Sequence, residues 1–131
     1  MKIHHVGYLV KNIDKAEEHF KVLGFQEITP VKYDKYRDVD ILFMEMDGYV
    51  IELVSPKSKD SVVASLIKTY KNAPYHICYE TEDFEKRVSE LELSGFTLFD
   101  EPCPAPALDD RRVCFLLSPR AGMIEILEKT V

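Results

Sequence analysis

Apolar and polar side chains alternate along several short segments of this chain, and the first of these segments is followed by one whose apolar residues have helical spacing. Residues 3–10 alternate between two faces, which predicts a β-strand. Asn12 then offers an N-cap, and apolar residues recur at helical spacing as far as the Val22-Leu23 pair. Because Gly24 follows that pair, we expect the helix to end there.

Three further strands are predicted after this helix. Residues 25–29 form a short segment that stops at a proline, and residues 39–46 form a longer segment that is rich in apolar residues. Asp47-Gly48 is a typical turn sequence and leads into residues 49–54, so the last two segments predict a hairpin. The order of elements is therefore βαβββ.

The chain then repeats this pattern. Residues 5–25 align without a gap on residues 76–96 at an offset of 71, which places His5 on His76. The later segments VIELV and MIEIL match at an offset of 73, which places Glu52 on Glu125. Each half therefore carries one early histidine and one late glutamate, as expected of a duplicated module.

The duplication predicts an α+β fold and a single domain made of two modules. Module one covers residues 1–56, a linker covers 57–74 with a short helix that starts near Asp60-Ser61, and module two covers 75–131. The segment EPCPAPALDD contains three prolines, so we expect a stiff loop there and not a central strand.

Composition excludes several classes of function. Lys and Arg number 17 against 23 Asp and Glu, a net charge of −6, and no basic run occurs; nucleic acid and anionic membrane surfaces are therefore not expected partners. No segment reaches the roughly 18 apolar residues that span a bilayer. The three cysteines lack CxxC spacing, which argues against a disulfide framework or a thiolate zinc site. We expect a cytoplasmic protein.

The four repeated residues predict a metal site. Glu52 and Glu125 each lie among apolar neighbours on a strand, where an unpaired carboxylate is costly to bury. If the duplication places equivalent residues around a pseudo-two-fold axis, these two glutamates and the histidines His5 and His76 form a first shell for a divalent ion such as Zn, Ni, Co, Mn or Fe. The alternative is that the glutamates lie on a solvated strand face.

The strings IHHVGYLVKNIDKAEEHFKVLGF, IELVSP, PYHICYETEDFEK and GMIEILE resemble the vicinal oxygen chelate superfamily over nearly the whole chain. This superfamily includes glyoxalase I, methylmalonyl-CoA epimerase, extradiol dioxygenases and the fosfomycin- and bleomycin-resistance proteins. The resemblance is closest to the glyoxalase I and methylmalonyl-CoA epimerase branch. It implies two βαβββ modules in a curved, mostly antiparallel, eight-stranded half-barrel sheet, and dimers are common in the superfamily.

Carried over by motif position, the resemblance implies that His5, Glu52, His76 and Glu125 bind one divalent metal ion. It implies an isomerase or lyase that removes a proton next to a carbonyl of a small carbonyl or thioester substrate and stabilises the enediolate on the metal, with Glu52 or Glu125 as the base. Tyr36 stands where similar epimerases have an acidic residue. A metal-free binding protein and a dioxygenase are the alternatives. The metal-free protein is disfavoured because all four ligand positions are filled. The dioxygenase is disfavoured because such enzymes bind their metal with two histidines and one carboxylate, whereas this chain has two glutamates.

Two adjacent arginines precede the last predicted hairpin. Arg111 and Arg112 follow Asp109 and Asp110 directly. They could hold an anionic group of the substrate, but exposed salt bridges with the neighbouring aspartates are the simpler expectation.

Overall fold

The computed structural model describes residues 1–130, and over that range it contains three α-helices and ten β-strands. The helices are α1 (Ile13–Leu23), α2 (Ala64–Tyr70) and α3 (Phe84–Leu93). The strands are β1 (Lys2–Leu9), β2 (Gln26–Glu27), β3 (Lys32–Asp34), β4 (Val39–Met46), β5 (Tyr49–Pro56), β6 (Ala73–Thr81), β7 (Thr97–Leu98), β8 (Cys103–Ala105), β9 (Arg111–Ser118) and β10 (Gly122–Glu128). The predicted α+β class is confirmed; Val131, the last residue of predicted module two, lies outside the described residues.

The chain divides into two compact units, which we call the first and second modules. The first consists of residues 5–75, and the second consists of residues 1–4 and 76–130. In the first module the strand order is β2-β4-β5-β1 with β3 also on β4, and in the second it is β6-β10-β9-β7 with β8 also on β9. Each module has one parallel pair, β1 with β5 and β6 with β10, while its other pairs are antiparallel. The predicted βαβββ repeat therefore underlies both modules.

Helix α1 forms where the capping residues predict it. The Asn12 side chain accepts a hydrogen bond of 2.9 Å from the Lys15 amide, and Gly24 ends the helix in the left-handed region at φ 113°, which suits glycine because it lacks a Cβ. The core contact is made by Ile13, Ala16 and Phe20 against one face of the sheet; the other members of this cluster are Tyr8, Val10, Phe25, Leu42, Met44, Ile51 and Leu53.

Two apolar residues of α1, Val22 and Leu23, do not face the core. Their exposed fractions are 85% and 65%. Val22 follows Phe20 by two residues, which is about 200° around the helix, and so it faces away from the sheet. An apolar residue within a helix therefore does not by itself indicate a core contact.

Helix α3 repeats the arrangement in the second module. The Asp83 side chain accepts from the Lys86 amide at 3.2 Å, and Phe84 and Val88 are buried. These two pack with Cys114, Leu116, Ile124 and Ile126. In both modules the helix therefore covers one face of the sheet, and the side chains that point to the opposite face do not contact the helix.

Two short strands account for the difference between the eight expected strands and the ten observed. β3 pairs with β4 ahead of the main hairpin, and β8 lies inside the proline-rich segment that we expected to be a loop. β8 pairs Cys103 with Val113 and then gives way to a 3-10 turn at Pro106–Leu108. Because β8 is an outer strand that pairs only with β9, its proline removes no hydrogen bond from a central ladder.

The linker helix starts later than predicted. The expected start was Asp60-Ser61, whereas α2 begins at Ala64 and has no side-chain cap. The Ser61 hydroxyl instead donates to the Arg37 carbonyl at 3.1 Å and accepts from the Val63 amide at 3.3 Å. Ser61 thus stabilises a turn before the helix.

Among residues 1–130, none of the three helices combines the length and the apolar character needed to cross a membrane. The predicted cytoplasmic location stays a prediction.

Candidate metal centre

The first module holds a buried histidine and a buried glutamate side by side. His5 lies on β1 and Glu52 on β5, and the parallel register pairs Glu52 with Gly7, two residues beyond His5. The His5 Nε2 is 3.4 Å from the Glu52 Oε1, and the side chains are 0% and 6% exposed. Both face away from the helix-covered core, because Tyr8 on β1 and Leu53 on β5, each an odd number of residues along its strand, belong to that core and successive strand residues alternate between faces.

The second module repeats this pair. His76 lies on β6 and Glu125 on β10, and the register pairs Glu125 with Cys78, again two residues beyond the histidine. The His76 Nε2 is 3.2 Å from the Glu125 Oε1, with side-chain exposures of 0% and 5%. The alternative that the glutamates lie on a solvated face is therefore wrong for both modules, and each glutamate has an imidazole as its neighbour.

The spacing within each pair fits two adjacent ligands of one metal ion. With metal-to-ligand distances near 2.1 Å, two ligand atoms lie about 3.0 Å apart at a right angle and about 3.4 Å apart at the tetrahedral angle. The observed 3.4 Å and 3.2 Å fall in this range, and a carboxylate O and an imidazole N suit divalent transition metals. Two ligands are fewer than a stable protein site needs, so neither pair is a complete site alone.

Each pair has an aromatic neighbour that the sequence reasoning missed. The Phe43 and His5 ring centroids are 5.2 Å apart with planes at 75°, and the Phe115 and His76 centroids are 5.0 Å apart with planes at 86°. Antiparallel pairing sets Phe43 directly opposite Glu52 and Phe115 directly opposite Glu125. The signal was present in the sequence, because each repeat carries a phenylalanine nine or ten residues before its glutamate.

The two arginines of β9 form ion pairs, but not with the neighbouring aspartates. Arg111 Nη1 is 2.7 Å from Glu80 Oε2, with side-chain exposures of 14% and 13%. The same guanidinium donates to the carbonyls of Leu108 and Glu128, and its Nη2 is 3.5 Å from the His4 Nε2. The hydrogen bond from Arg111 is the main reason that the pKa of Glu80 lies below its ordinary value. Arg111 therefore joins β6, β9 and β10.

Arg112 has a more exposed set of partners. It forms a two-pronged pair with Glu128 at 3.0 and 2.8 Å and a contact of 2.6 Å with Glu85, while its guanidinium lies 4.7 Å from the centre of the Phe84 ring. The expected ion pairs with Asp109 and Asp110 do not form. Both aspartates lie in the turn that precedes β9, where their backbones adopt left-handed conformations at φ 57° and 59°.

Tyr36 lies in the turn between β3 and β4 and is 49% exposed. The turn is held by Asp34, which is 1% exposed and whose carboxylate accepts from the Tyr36 and Arg37 amides at 2.9 and 3.2 Å. Arg37 Nη1 adds an ion pair with Asp34 at 2.8 Å. Unlike the Glu52 side chain, the Tyr36 side chain lies at the surface of its module. The buried acidic residue nearby, Asp34, already forms an ion pair with Arg37.

The cysteines are mostly buried. Cys78 and Cys114 are buried and Cys103 is partly exposed. Burial raises the pKa of the Cys114 thiol to about 12, so this thiol stays protonated at neutral pH and is a poor nucleophile or metal ligand.

Comparisons with known proteins agree on one family. A profile of the Glyoxalase/Bleomycin resistance protein/Dioxygenase superfamily matches residues 4–115. The mitochondrial methylmalonyl-CoA epimerase of Bos taurus is 26% identical over 102 residues, which are 76% of this chain and 58% of that protein. An ethylmalonyl-CoA/methylmalonyl-CoA epimerase of Cereibacter sphaeroides is 23% identical over 116 residues, 88% of this chain and 87% of that one. The chain thus spans little more than half the length of its bovine relative.

Solved structures show the same fold. A hypothetical protein from Bacillus halodurans C-125 superimposes with a TM-score of 0.88 at 26% identity, covering 99% of this chain and 95% of that one. A variant of the Streptomyces coelicolor methylmalonyl-CoA epimerase, solved in complex with 2-nitronate-propionyl-CoA, superimposes with a TM-score of 0.85 at 17% identity, covering 100% of this chain and 96% of that one.

Proposed function

The chain belongs to the glyoxalase, bleomycin resistance protein and dioxygenase superfamily, and from that premise we propose that it is a divalent-metal-dependent isomerase or lyase that removes the proton next to a carbonyl group. The named curated relatives are epimerases, which supports an enzyme. The observation that carries the proposal is the repeated buried pair, His5 with Glu52 and His76 with Glu125, at nearly equal spacing.

In this proposal the two pairs bind one metal ion together. Each pair supplies one nitrogen and one oxygen, so that four protein ligands come from two equivalent halves. Such a mixed set suits Zn, Ni, Co or Mn and leaves a position for water or substrate if the ion is five- or six-coordinate. The low exposure of both glutamates supports the proposal, since an ionised carboxylate is stable away from water only beside a compensating cation or donor.

When bound, a divalent ion would act as a Lewis acid that stabilises the negative charge developing on the carbonyl oxygen of the substrate. The chain's own part is to bind the substrate carbonyl near the pairs and to accept the proton. Glu52 and Glu125 are the candidate bases, because a carboxylate next to the reacting carbon can take the proton from one face, and a protonated carboxylate on the opposite face can deliver a proton there. The buried setting excludes bulk water, which would otherwise compete for that proton.

A thioester is the favoured substrate class, since both named curated relatives are acyl-CoA epimerases and a structural neighbour carries a CoA thioester analogue. A hemithioacetal, the substrate type implied by the likeness to glyoxalase I, is the second class to assay. In either case the first chemical event is the same, loss of a proton from carbon next to a carbonyl or thioester group.

Elemental analysis tests the metal. Protein purified without chelator is expected to contain close to one divalent ion per chain, and His5→Gln and His76→Gln variants are each expected to lose it. A folded wild-type protein that takes up no divalent metal, even after incubation with Zn, Ni, Co or Mn, would favour the metal-free binding protein instead.

Deuterium exchange tests the chemistry. The metal-loaded protein is incubated in heavy water with acyl-CoA thioesters that carry an acidic α-hydrogen, or with thiol adducts of methylglyoxal, and deuterium uptake is followed by mass spectrometry. Glu52→Gln and Glu125→Gln keep a ligand oxygen but cannot take a proton, so loss of the base should slow exchange by roughly 10² or more. Glu45→Gln, on an exposed position of β4, is the matched control; exchange at the wild-type rate in both buried variants would reject them as bases.

A homodimer, common in the superfamily, is part of the same proposal. Light scattering coupled to gel filtration distinguishes a mass near twice 15.2 kDa from that of the monomer.

A further inference from the structure

We propose that Phe43 and Phe115 are positioning residues that fix the orientation of the His5 and His76 imidazoles for metal binding. The inference rests on the proposed function, because it concerns how the ligand side chains are held. It goes further by assigning a role to two residues that are not themselves candidate metal ligands.

The two phenylalanines occupy equivalent places relative to both members of each pair. Each is the direct cross-strand neighbour of the glutamate, Phe43 opposite Glu52 and Phe115 opposite Glu125. Each also meets the histidine nearly at right angles, with centroids 5.2 and 5.0 Å apart. The same triangle of histidine, glutamate and phenylalanine is therefore built twice from strands that correspond in the duplication.

These residues are not members of the helix-covered core clusters. Phe43 lies between Leu42 and Met44 in the sequence, and both of those pack beneath helix α1. Strand alternation sends Phe43 to the opposite face, where it is 5% exposed. In the second module, Cys114 and Leu116 pack beneath α3, while Phe115 is 8% exposed on the face opposite to them. Packing of the helices therefore does not explain the aromatic residues.

A perpendicular aromatic contact restricts how the imidazole ring can rotate. The quadrupole of a phenyl ring favours edge-to-face arrangements over other orientations, so turning the imidazole about its last side-chain bond would lose that contact. In the observed orientation Nε2 of each histidine faces the glutamate oxygen at 3.4 or 3.2 Å. A leucine could fill much of the space, but it offers no orientation preference. The rings therefore reduce the ordering that metal binding would otherwise require.

The test is cobalt binding by Phe43→Leu, Phe115→Leu and the double variant. Cobalt is titrated into metal-free protein, and both the dissociation constant and the visible absorption spectrum of the saturated protein are recorded. The contact energies of aromatic pairs lead us to expect about two- to tenfold weaker binding for each single variant, a larger loss for the double variant, and a shifted absorption band because the ligand geometry relaxes. Phe43→Met and Phe115→Met are used as well, so that one set of folded variants is available.

Phe20→Leu and Phe96→Leu are the matched controls. Phe20 forms perpendicular contacts with Tyr8 and Phe25 at 5.1 and 5.5 Å, and Phe96 packs on the core beneath α3. Both controls remove a phenyl ring from the same modules, so they should lower the melting temperature while leaving cobalt affinity and spectrum unchanged.

Two negative results are distinguishable. If wild-type protein binds cobalt and the Phe43 and Phe115 variants bind it with the same affinity and spectrum, or if the controls weaken binding equally, the positioning role is refuted while the proposed function stands. If the wild-type protein binds no cobalt, zinc, nickel or manganese, the proposed function fails and the positioning role fails with it.

Discussion

The contact between Arg111 and Glu80 predicts a large loss of stability from removing one charge. Arg111 Nη1 lies 2.7 Å from Glu80 Oε2, and the two side chains are 14% and 13% exposed. Arg111 also donates hydrogen bonds to the carbonyls of Leu108 and Glu128. Removing one partner of a buried pair leaves the other charge uncompensated, at a cost of about 3–5 kcal/mol. Because both side chains retain some contact with water, we expect Glu80→Gln to lower the free energy of unfolding by about 2–3 kcal/mol.

The neighbouring arginine provides the matched comparison. Arg112 Nη2 approaches Glu85 at 2.6 Å, but the side chains are 40% and 70% exposed. Glu85→Gln should therefore change the free energy of unfolding by less than about 1 kcal/mol. Urea denaturation of both variants and the wild type at pH 7 measures the difference. If Glu80→Gln costs no more than Glu85→Gln, burial does not set the strength of these pairs and our reasoning is wrong.

The pH dependence gives a second readout of the same pair. Arg111 lowers the pKa of Glu80 in the folded protein below its ordinary value of 4.5, so the unfolded chain binds this proton more readily than the folded one. The stabilisation is therefore fully present above about pH 4.5 and is lost as the pH falls through the lowered folded pKa. The difference in unfolding free energy between wild type and Glu80→Gln should shrink on acidification, and a difference that grows instead would contradict the assignment.

Three further predictions concern the metal, a helix end and a thiol. Adding a divalent metal at 100 times its dissociation constant should stabilise the protein by about 2.7 kcal/mol, seen as a rise in melting temperature that chelator reverses and that His76→Gln lacks. Gly24→Ala should lower the free energy of unfolding by about 1–2 kcal/mol in thermal or urea denaturation, and by more than Gly95→Ala does. Both glycines have positive φ (113° and 103°), but of the two only Gly24 would place the new Cβ against the Met46 sulfur, at 3.1 Å. Equal losses of stability in the two variants would exclude the steric contribution. Cys114, with its pKa raised to about 12, should stay unmodified by iodoacetamide at pH 8 in native protein, as mass spectrometry of peptides would show; rapid labelling before unfolding would contradict its burial.

Some features of the fold were readable because their signals lie within a few residues of one another. The capping side chains Asn12 and Asp83 lie next to the helices they start, and β4 begins and ends as its apolar pattern predicts. The duplication added a comparison between distant segments, and it identified His5, Glu52, His76 and Glu125 without any knowledge of strand pairing. Burial of both glutamates beside imidazoles agrees with that identification; that all four bind one ion stays a prediction.

Other features depended on which segments meet. Val22 is apolar but lies on the exposed side of α1, and β8 forms because β9 offers it an edge to pair with. Arg111 pairs with a glutamate 31 residues earlier in the chain and not with its neighbouring aspartates.

The sequence by itself determined the βαβββ repeat, the positions of the caps that start α1 and α3, and the residue types of the candidate ligands, because periodicity and capping act over one or two turns of chain. Only the tertiary structure decided that Phe43 lies against His5 and that Phe115 lies against His76. Each of these contacts joins strands distant in sequence, and the register of such strands is set by the sum of pairing and packing across a whole sheet. A single segment does not contain that information.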